Sequence, residues 1–198
     1  MQFRNLWLVL AMLTLFLTSA CVRRPQLNGT VFDTPVEAYD ITGTNYDGTP
    51  FRLSDTRGKI TMVFFGYTFC PDVCPFTLAD LKQVSEKLGD KAAEFAVVFI
   101  TVDPERDTLE KMTQYVQAFN PTFYGVRMEG EALEAAKTTF GIYAAKSDVA
   151  TGNPDSYFVD HTAALYVIDR DGNLRETLPY DAGPEQILPD VEYWLQAG

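Results

Sequence analysis

Two cysteines sit in one short segment, Phe69-Cys70-Pro71-Asp72-Val73-Cys74-Pro75, and the only histidine of the 198-residue chain lies far downstream in Asp160-His161-Thr162. Apart from methionines and a third cysteine, Cys21, these are the chain's only soft or borderline metal donors. Two thiols and one imidazole suit a thiophilic metal or a redox reaction, and do not suit hydride transfer, phosphoryl transfer or simple hydrolysis. The Cys-x-x-x-Cys spacing leaves three readings open: a plain disulfide, a redox pair, or part of a metal site. A disulfide here would close a very small loop, which removes little unfolded-chain entropy and stabilises weakly.

The two prolines shape the segment. Each disfavours the helical region for the cysteine before it. A helix is therefore expected to begin at Pro75, a favoured first position, with Cys74 at or near its N-cap. Both sulfurs then lie at the positive end of that helix, which favours thiolate over thiol, with Cys74 the more affected.

The elements that must position these groups can be read from hydrophobic pattern. Val36 to Ile41 reads as a short strand followed by a turn at Tyr46-Asp47-Gly48. Lys59–Gly66, Phe95–Val102 and Ala163–Asp169 are near-continuous apolar runs that suit buried strands. Helices are expected over Thr77–Leu88, stopped by Gly89, and from Asp107 or Thr108 to Phe119, with Pro121 beyond. Further helices are expected over Glu131–Phe140, closed by Gly141, and Pro184–Leu195. Arg170-Asp171-Gly172-Asn173 joins the third apolar strand to Leu174–Thr177 as a hairpin. Alternating buried strands and helices predict an α/β fold. A hairpin after a βαβ half, with a thiol pair past the end of the first buried strand, makes it thioredoxin-like, a central sheet flanked by helices with an N-terminal β-hairpin.

Ligand chemistry in open α/β sheets belongs at the carboxyl ends of the strands, which is where Cys70 falls. His161 is expected in the loop before the third buried strand, and in this topology that loop faces the cysteine loop. Three donors are too few for a closed structural zinc site. A soft, open Cys2His site suits copper, Cu(I) especially, and an open position allows the ion to be handed on. Zinc with water in a fourth position satisfies the same ligand count.

The first twenty residues read as an export signal: Arg4, then an apolar run from Leu6 to Leu17, then Leu17-Thr18-Ser19-Ala20-Cys21. Small residues before a cysteine are similar to a bacterial lipoprotein signal, in which the cysteine is lipidated. A plain cleaved signal and an uncleaved anchor are the alternatives, and all three place the domain outside the cytoplasm, on the periplasmic side of a bacterial cell envelope. Residues 21–34 read as a tether and 35–198 as one domain. The net charge is −11, and removing the signal takes away Arg4 and no acid. So acidic a chain does not bind nucleic acid by charge.

Three stretches together are similar to the SCO (SenC) family of copper-binding cytochrome c oxidase assembly proteins. They are Phe65-Gly66-Tyr67-Thr68-Phe69-Cys70-Pro71-Asp72-Val73-Cys74-Pro75, Thr101-Val102-Asp103-Pro104-Glu105-Arg106-Asp107-Thr108, and Val159-Asp160-His161-Thr162. The resemblance implies that Cys70, Cys74 and His161 bind copper, as Cu(I), Cu(II) or both. It implies delivery of copper to the CuA site of oxidase subunit II, or reduction of that site's cysteines. Membrane attachment, here through a lipid on Cys21, is typical of the family. Other copper chaperones and thiol–disulfide oxidoreductases are further expected partners. Asp72, Asp103, Arg106, Asp107 and Asp160 are placed near the metal loop, as supports or partner contacts, with capping of the next helix the alternative role. Thiol–disulfide reductase activity needs only Cys70 and Cys74. A peroxidase of peroxiredoxin type fits poorly, since Tyr67 and Pro71, not threonine, stand three residues before the cysteines.

Overall fold

The computed structural model describes residues 26–38, 40–148 and 156–197; the expected signal and Cys21 lie outside them. The elements run β1 (Thr30–Glu37), β2 (Thr42–Asn45), β3 (Pro50–Arg52), β4 (Ile60–Gly66), α1 (Val73–Leu88), β5 (Phe95–Thr101), α2 (Leu109–Phe119), β6 (Tyr124–Arg127), α3 (Gly130–Phe140), β7 (Ala144–Asp148), β8 (Tyr157–His161), β9 (Leu165–Ile168), β10 (Asn173–Leu178) and α4 (Pro184–Ala197). Eight strands form one sheet in the order β1-β10-β9-β4-β5-β6-β2-β3, and β7 and β8 form a separate two-stranded sheet.

The three apolar runs occupy the middle of the large sheet. β4, β5 and β9 are buried along their whole length, as strands covered on both faces must be. β4 and β5 pair in parallel from Ile60↔Phe95 to Gly66↔Thr101, and β9 lies antiparallel on the other side of β4. Side chains alternate across the sheet. Phe64 and Phe99 share one face, where Phe99 meets Tyr115 of α2. Phe65 points to the other face and meets Phe140 of α3 and Tyr166 of β9. This is the expected thioredoxin-like α/β architecture, with the β9–β10 hairpin turning at Gly172, whose φ is 90°.

Several boundaries differ from the pattern-based expectation. The N-terminal strand starts at Thr30, within the segment read as a tether, and ends at Glu37, not Ile41. Nearly all its residues are exposed, so apolar alternation gave no signal for it; it is an edge strand paired to β10. The expected turn at Tyr46-Asp47-Gly48 is present and joins β2 to β3. β6 is too short to read from pattern, at four residues. The β7–β8 hairpin was not expected at all. Between Ala144 and His161 the sequence is rich in Ala and Asp, is broken by Gly152 and Pro154, and lacks strand periodicity. The helix ends hold closely: Thr108 accepts from the Lys111 amide as the N-cap of α2, and Gly141 closes α3 with φ 64°.

Candidate metal centre

The cysteine segment is fixed to the sheet's carboxyl end. After Gly66 the backbone turns, with the Cys70 amide donating to the Tyr67 carbonyl at 3.2 Å. Asp107, fully buried, holds the turn from below. Its carboxylate accepts from the Thr68 amide (2.9 Å), the Thr68 hydroxyl (2.6 Å) and the Thr101 hydroxyl (2.6 Å). Burial raises the Asp107 pKa, and the bonds from Thr101 and Thr68 oppose that rise. Gly66 leaves the space a sulfur needs. A Cβ there would lie 2.8 Å from Cys74 Sγ and 2.8 Å from the Phe99 ring.

The helix begins earlier than the prolines implied. Asp72 is the N-cap residue of α1 and makes no side-chain cap bond, while Cys74 lies inside the first turn. Pro75 is tolerated there because the first-turn amides have no intrahelical partner, so its missing N–H costs nothing. The expected ranking of the thiols is therefore reversed. Cys70 Sγ accepts the Cys74 amide at 3.4 Å, in the place a capping side chain would take. The Cys74 thiol beside it and that amide bring the Cys70 pKa down to about 5, against the cost of its partial burial. Cys74 is fully buried, and its bond to Cys70 together with desolvation drives its pKa far up. Both cysteines are free thiols.

His161 reaches the thiols from the second sheet, as the last residue of β8, opposite Ala144, and not from a loop. Its Nδ1 lies 3.1 Å from the Val159 carbonyl, an acceptor, so Nδ1 carries the proton. Nε2 then presents its lone pair, 3.7 Å from Cys74 Sγ. Tyr67 is buried and meets the imidazole edge to face, at 5.6 Å between centroids.

Asp103 and Arg106 bind the histidine hairpin to the β5–α2 loop. Arg106 Nε donates to buried Asp103 at 2.6 Å, and a second guanidinium nitrogen donates to the Tyr157 carbonyl at 2.8 Å. The guanidinium lies 3.5 Å from the centroid of the Tyr157 ring and 4.8 Å from that of Phe69. The Tyr157 hydroxyl donates to the other oxygen of Asp103 at 2.8 Å, closing a ring of contacts. Of the five expected supporting residues, Asp103, Arg106 and Asp107 thus buttress the site. Asp72 and Asp160 are exposed and form none of these bonds.

Residue pattern alone did not assign roles to Tyr67, Thr68, Thr101 or Tyr157. The first three lie inside the quoted stretches, so a hydroxyl count beside a buried aspartate was the available signal. Tyr157 had none, because its position depends on a hairpin the sequence did not reveal. Among the described residues, no three His, Cys, Asp or Glu side chains stand together as a closed metal cluster. The donors converge in pairs, Cys70 with Cys74 and Cys74 with His161.

Comparison with known proteins agrees with this architecture. Residues 34–196 match the SCO1/SenC family model, and the chain belongs to that family. It is 34% identical over 160 residues to the mouse protein SCO2 homolog, mitochondrial, covering 80% of this chain and 62% of the mouse protein. Sco1 of Thermus thermophilus, solved in solution as the apo protein, is 36% identical and superposes with a TM-score of 0.76, covering 86% of this chain and 98% of that one. ScoI of Bradyrhizobium japonicum, solved with copper bound, is 33% identical with a TM-score of 0.71, covering 79% and 98%.

Proposed function

We propose that this protein is a copper metallochaperone for assembly of the CuA site of cytochrome c oxidase, carrying copper as cargo on Cys70, Cys74 and His161. The observation that supports the reading is the meeting of soft donors in two pairs that share Cys74, at one edge of the fold. Cys74 Sγ and the lone-pair nitrogen of His161 are 3.7 Å apart, and Cys70 Sγ caps the helix that carries Cys74. An ion held by all three would draw these side chains in to bonds of about 2.0–2.3 Å. The donor set fits Cu(I): two thiols, one of them already inclined to thiolate, and one neutral imidazole. That the Bradyrhizobium relative binds copper supports the choice of metal. Oxidase subunit II is the recipient on this reading, and a lipid on Cys21 holds the domain at the outer side of a bacterial membrane. No described helix is long and apolar enough to cross a membrane.

The test is titration of the reduced protein with Cu(I) and Cu(II) beside Cys70→Ser, Cys74→Ser and His161→Ala. One copper per chain is expected, with affinity falling tenfold or more in each variant. Undiminished affinity in His161→Ala would sink the ligand set. A second reading, reduction of a partner disulfide, is favoured by the half-buried, low-pKa Cys70 next to a buried protonated thiol, an attacking and resolving pair. It predicts that His161→Ala still reduces the partner while Cys74→Ser stalls as a mixed disulfide.

A further inference from the structure

The large sheet and the small one have four edges between them, and three are blunted. β3 is three residues long and opens with Pro50. β1 carries Pro35 and breaks register with β10 between Val31 and Val36. Proline and irregular register both discourage pairing with another chain. On β8, the outward carbonyls of Tyr157 and Val159 are taken by Arg106 and by Nδ1 of His161. The fourth edge is β7.

The pairing of β7 with β8 runs without a break from Ala144↔His161 to Asp148↔Tyr157. In an antiparallel pair every second residue bonds to its partner, and the residues between face away. The Thr162 amide donates to the Tyr143 carbonyl at 2.9 Å, which sets the phase. Ala145 and Ser147 therefore bond to β8, while Ala144 and Lys146 turn their N–H and C=O groups outward. Among the described residues, nothing bonds to those four groups. Lys146 is the charge that would guard such an edge, yet its ammonium is drawn under the hairpin, to Glu105 at 2.6 Å and to within 4.6 Å of the Tyr157 ring centroid. A cleft of about 320 Å³ adjoins the strand. It is lined by Ala144 and Lys146 of β7, Leu133 and Lys137 of α3, and the buried Val102 and Val159.

We propose that the open edge of β7 docks an extended segment of a partner protein by strand addition, with the cleft receiving its alternate side chains. Unpaired N–H and C=O groups at alternate positions recognise backbone, so the ligand is an extended chain. Its inward side chains are small and apolar, to suit Val102, Leu133 and Val159. Its outward side chains are basic or neutral. The outer face of the hairpin bears exposed Asp160 between two exposed aromatics, Tyr143 and Phe158, on a chain of net charge −11. The same charge disfavours a second copy of this protein as the occupant. What docking achieves rests on the copper-carrier reading. Ala144 pairs with His161, so a residue added opposite Ala144 lies two strands, about 10 Å, from the His161 backbone. The partner is thereby held beside the imidazole donor.

The probe is a capped heptapeptide alternating lysine with valine or alanine, added to the full, metal-free chain. In the free protein the amides of Ala144 and Lys146 should exchange quickly, and those of Ala145 and Ser147 slowly. Saturating peptide should slow the first pair roughly tenfold or more and leave the second pair little changed. Lys146→Pro deletes an outward N–H and no bond to β8, and should weaken the peptide roughly tenfold or more. Lys146→Gln, which also loses the Glu105 pair, should bind it as the parent does. If Lys146→Pro does not fold, N-methylation of the peptide decides: one alternate set of positions should abolish binding and the other should spare it. Absence of binding overturns the proposal. So does equal binding to Lys146→Pro, or protection gained away from residues 144 and 146. Slow exchange at 144 and 146 in the free protein, with concentration-dependent dimers, would give the edge to a second copy and overturn it too. Copper titration of the unsubstituted chain is a separate readout. Peptide docking without copper binding would refute the carrier reading and leave the docking edge standing.

Discussion

The two halves of the proposed metal centre are built on different foundations. The thiol half grows out of the fold's most buried strands. Cys70 and Cys74 follow β4 directly, Gly66 leaves room for one sulfur, and Asp107 ties the turn to β5. The imidazole half is borne by a two-stranded sheet outside the main one, bound to the domain through Arg106, Asp103 and Tyr157. Such a division keeps two donors in fixed register and leaves the third on an element whose stability is local. On the proposed copper-carrier reading, loss of one ligand without loss of the fold is a direct route to transfer.

The sharpest way to separate the halves is reactivity. In the metal-free protein Cys70 should react with iodoacetamide roughly a thousandfold faster than Cys74 at pH 7, because thiolate rather than thiol is the nucleophile and Cys74 is buried and protonated. The rate at Cys70 should hold level from pH 8 down to about 6 and fall as the pH drops through 5. The same group shapes stability. Its ordinary pKa is 9.0, so between about 5 and 9 the unfolded chain binds a proton that the folded chain does not. Its stabilising contribution is complete above 9 and is lost as the pH falls through 5. Peptide mapping after alkylation reads the ranking; equal labelling of both cysteines would break the account of Cys70 as the helix-capping sulfur.

The next largest effect lies beneath the thiol turn. Asp107→Ala removes the acceptor of three short hydrogen bonds in a fully buried place. Bonds to a charged acceptor contribute about 1.5–3 kcal/mol each, and the cost of keeping the carboxylate buried offsets part of that sum, so a loss of about 4 kcal/mol is expected. Urea denaturation should show it as a global shift of the midpoint. A shift below about 1 kcal/mol would mean that the thiol half is not anchored through this carboxylate.

How far the chain's own pattern reveals this division follows from where each half gets its stability. The thiol half rests on local signals: continuous apolar runs for β4 and β5, a Cys-Pro pair on either side of a helix start, and a capping threonine at 108. Those signals placed the sheet centre and the cysteine loop correctly. The thiol ranking is reversed by a two-residue shift of the helix start. That shift depends on a sulfur acting as the cap, which no propensity scale registers. The imidazole half rests on non-local contacts. Its strands are short and half-polar, and their order is imposed by Arg106 reaching across from another loop to Tyr157. His161 was placed opposite the thiols from topology, while the strand that carries it was not read. The same holds for β1, an exposed edge strand whose partner β10 lies far along the chain.

The smallest change is the most telling for the imidazole half. Tyr157→Phe keeps the ring under the Arg106 guanidinium and deletes only the hydroxyl that donates to Asp103. Asp103 keeps its bond from Arg106 and Tyr157 is only half-buried, so the cost lies at the low end for a hydrogen bond to a charged acceptor, about 1–2 kcal/mol. If the hairpin opens as its own unit, that cost falls on the hairpin alone. Amides of residues 144–147 and 157–161 should then exchange about five- to thirtyfold faster, while those of residues 60–66 and 95–101 keep their rates. Copper affinity should fall by a smaller factor than in His161→Ala, since the imidazole remains and only its positioning is loosened. Uniform acceleration across all four segments would show instead that the hairpin and the main sheet open together, and that the imidazole is as firmly built in as the thiols.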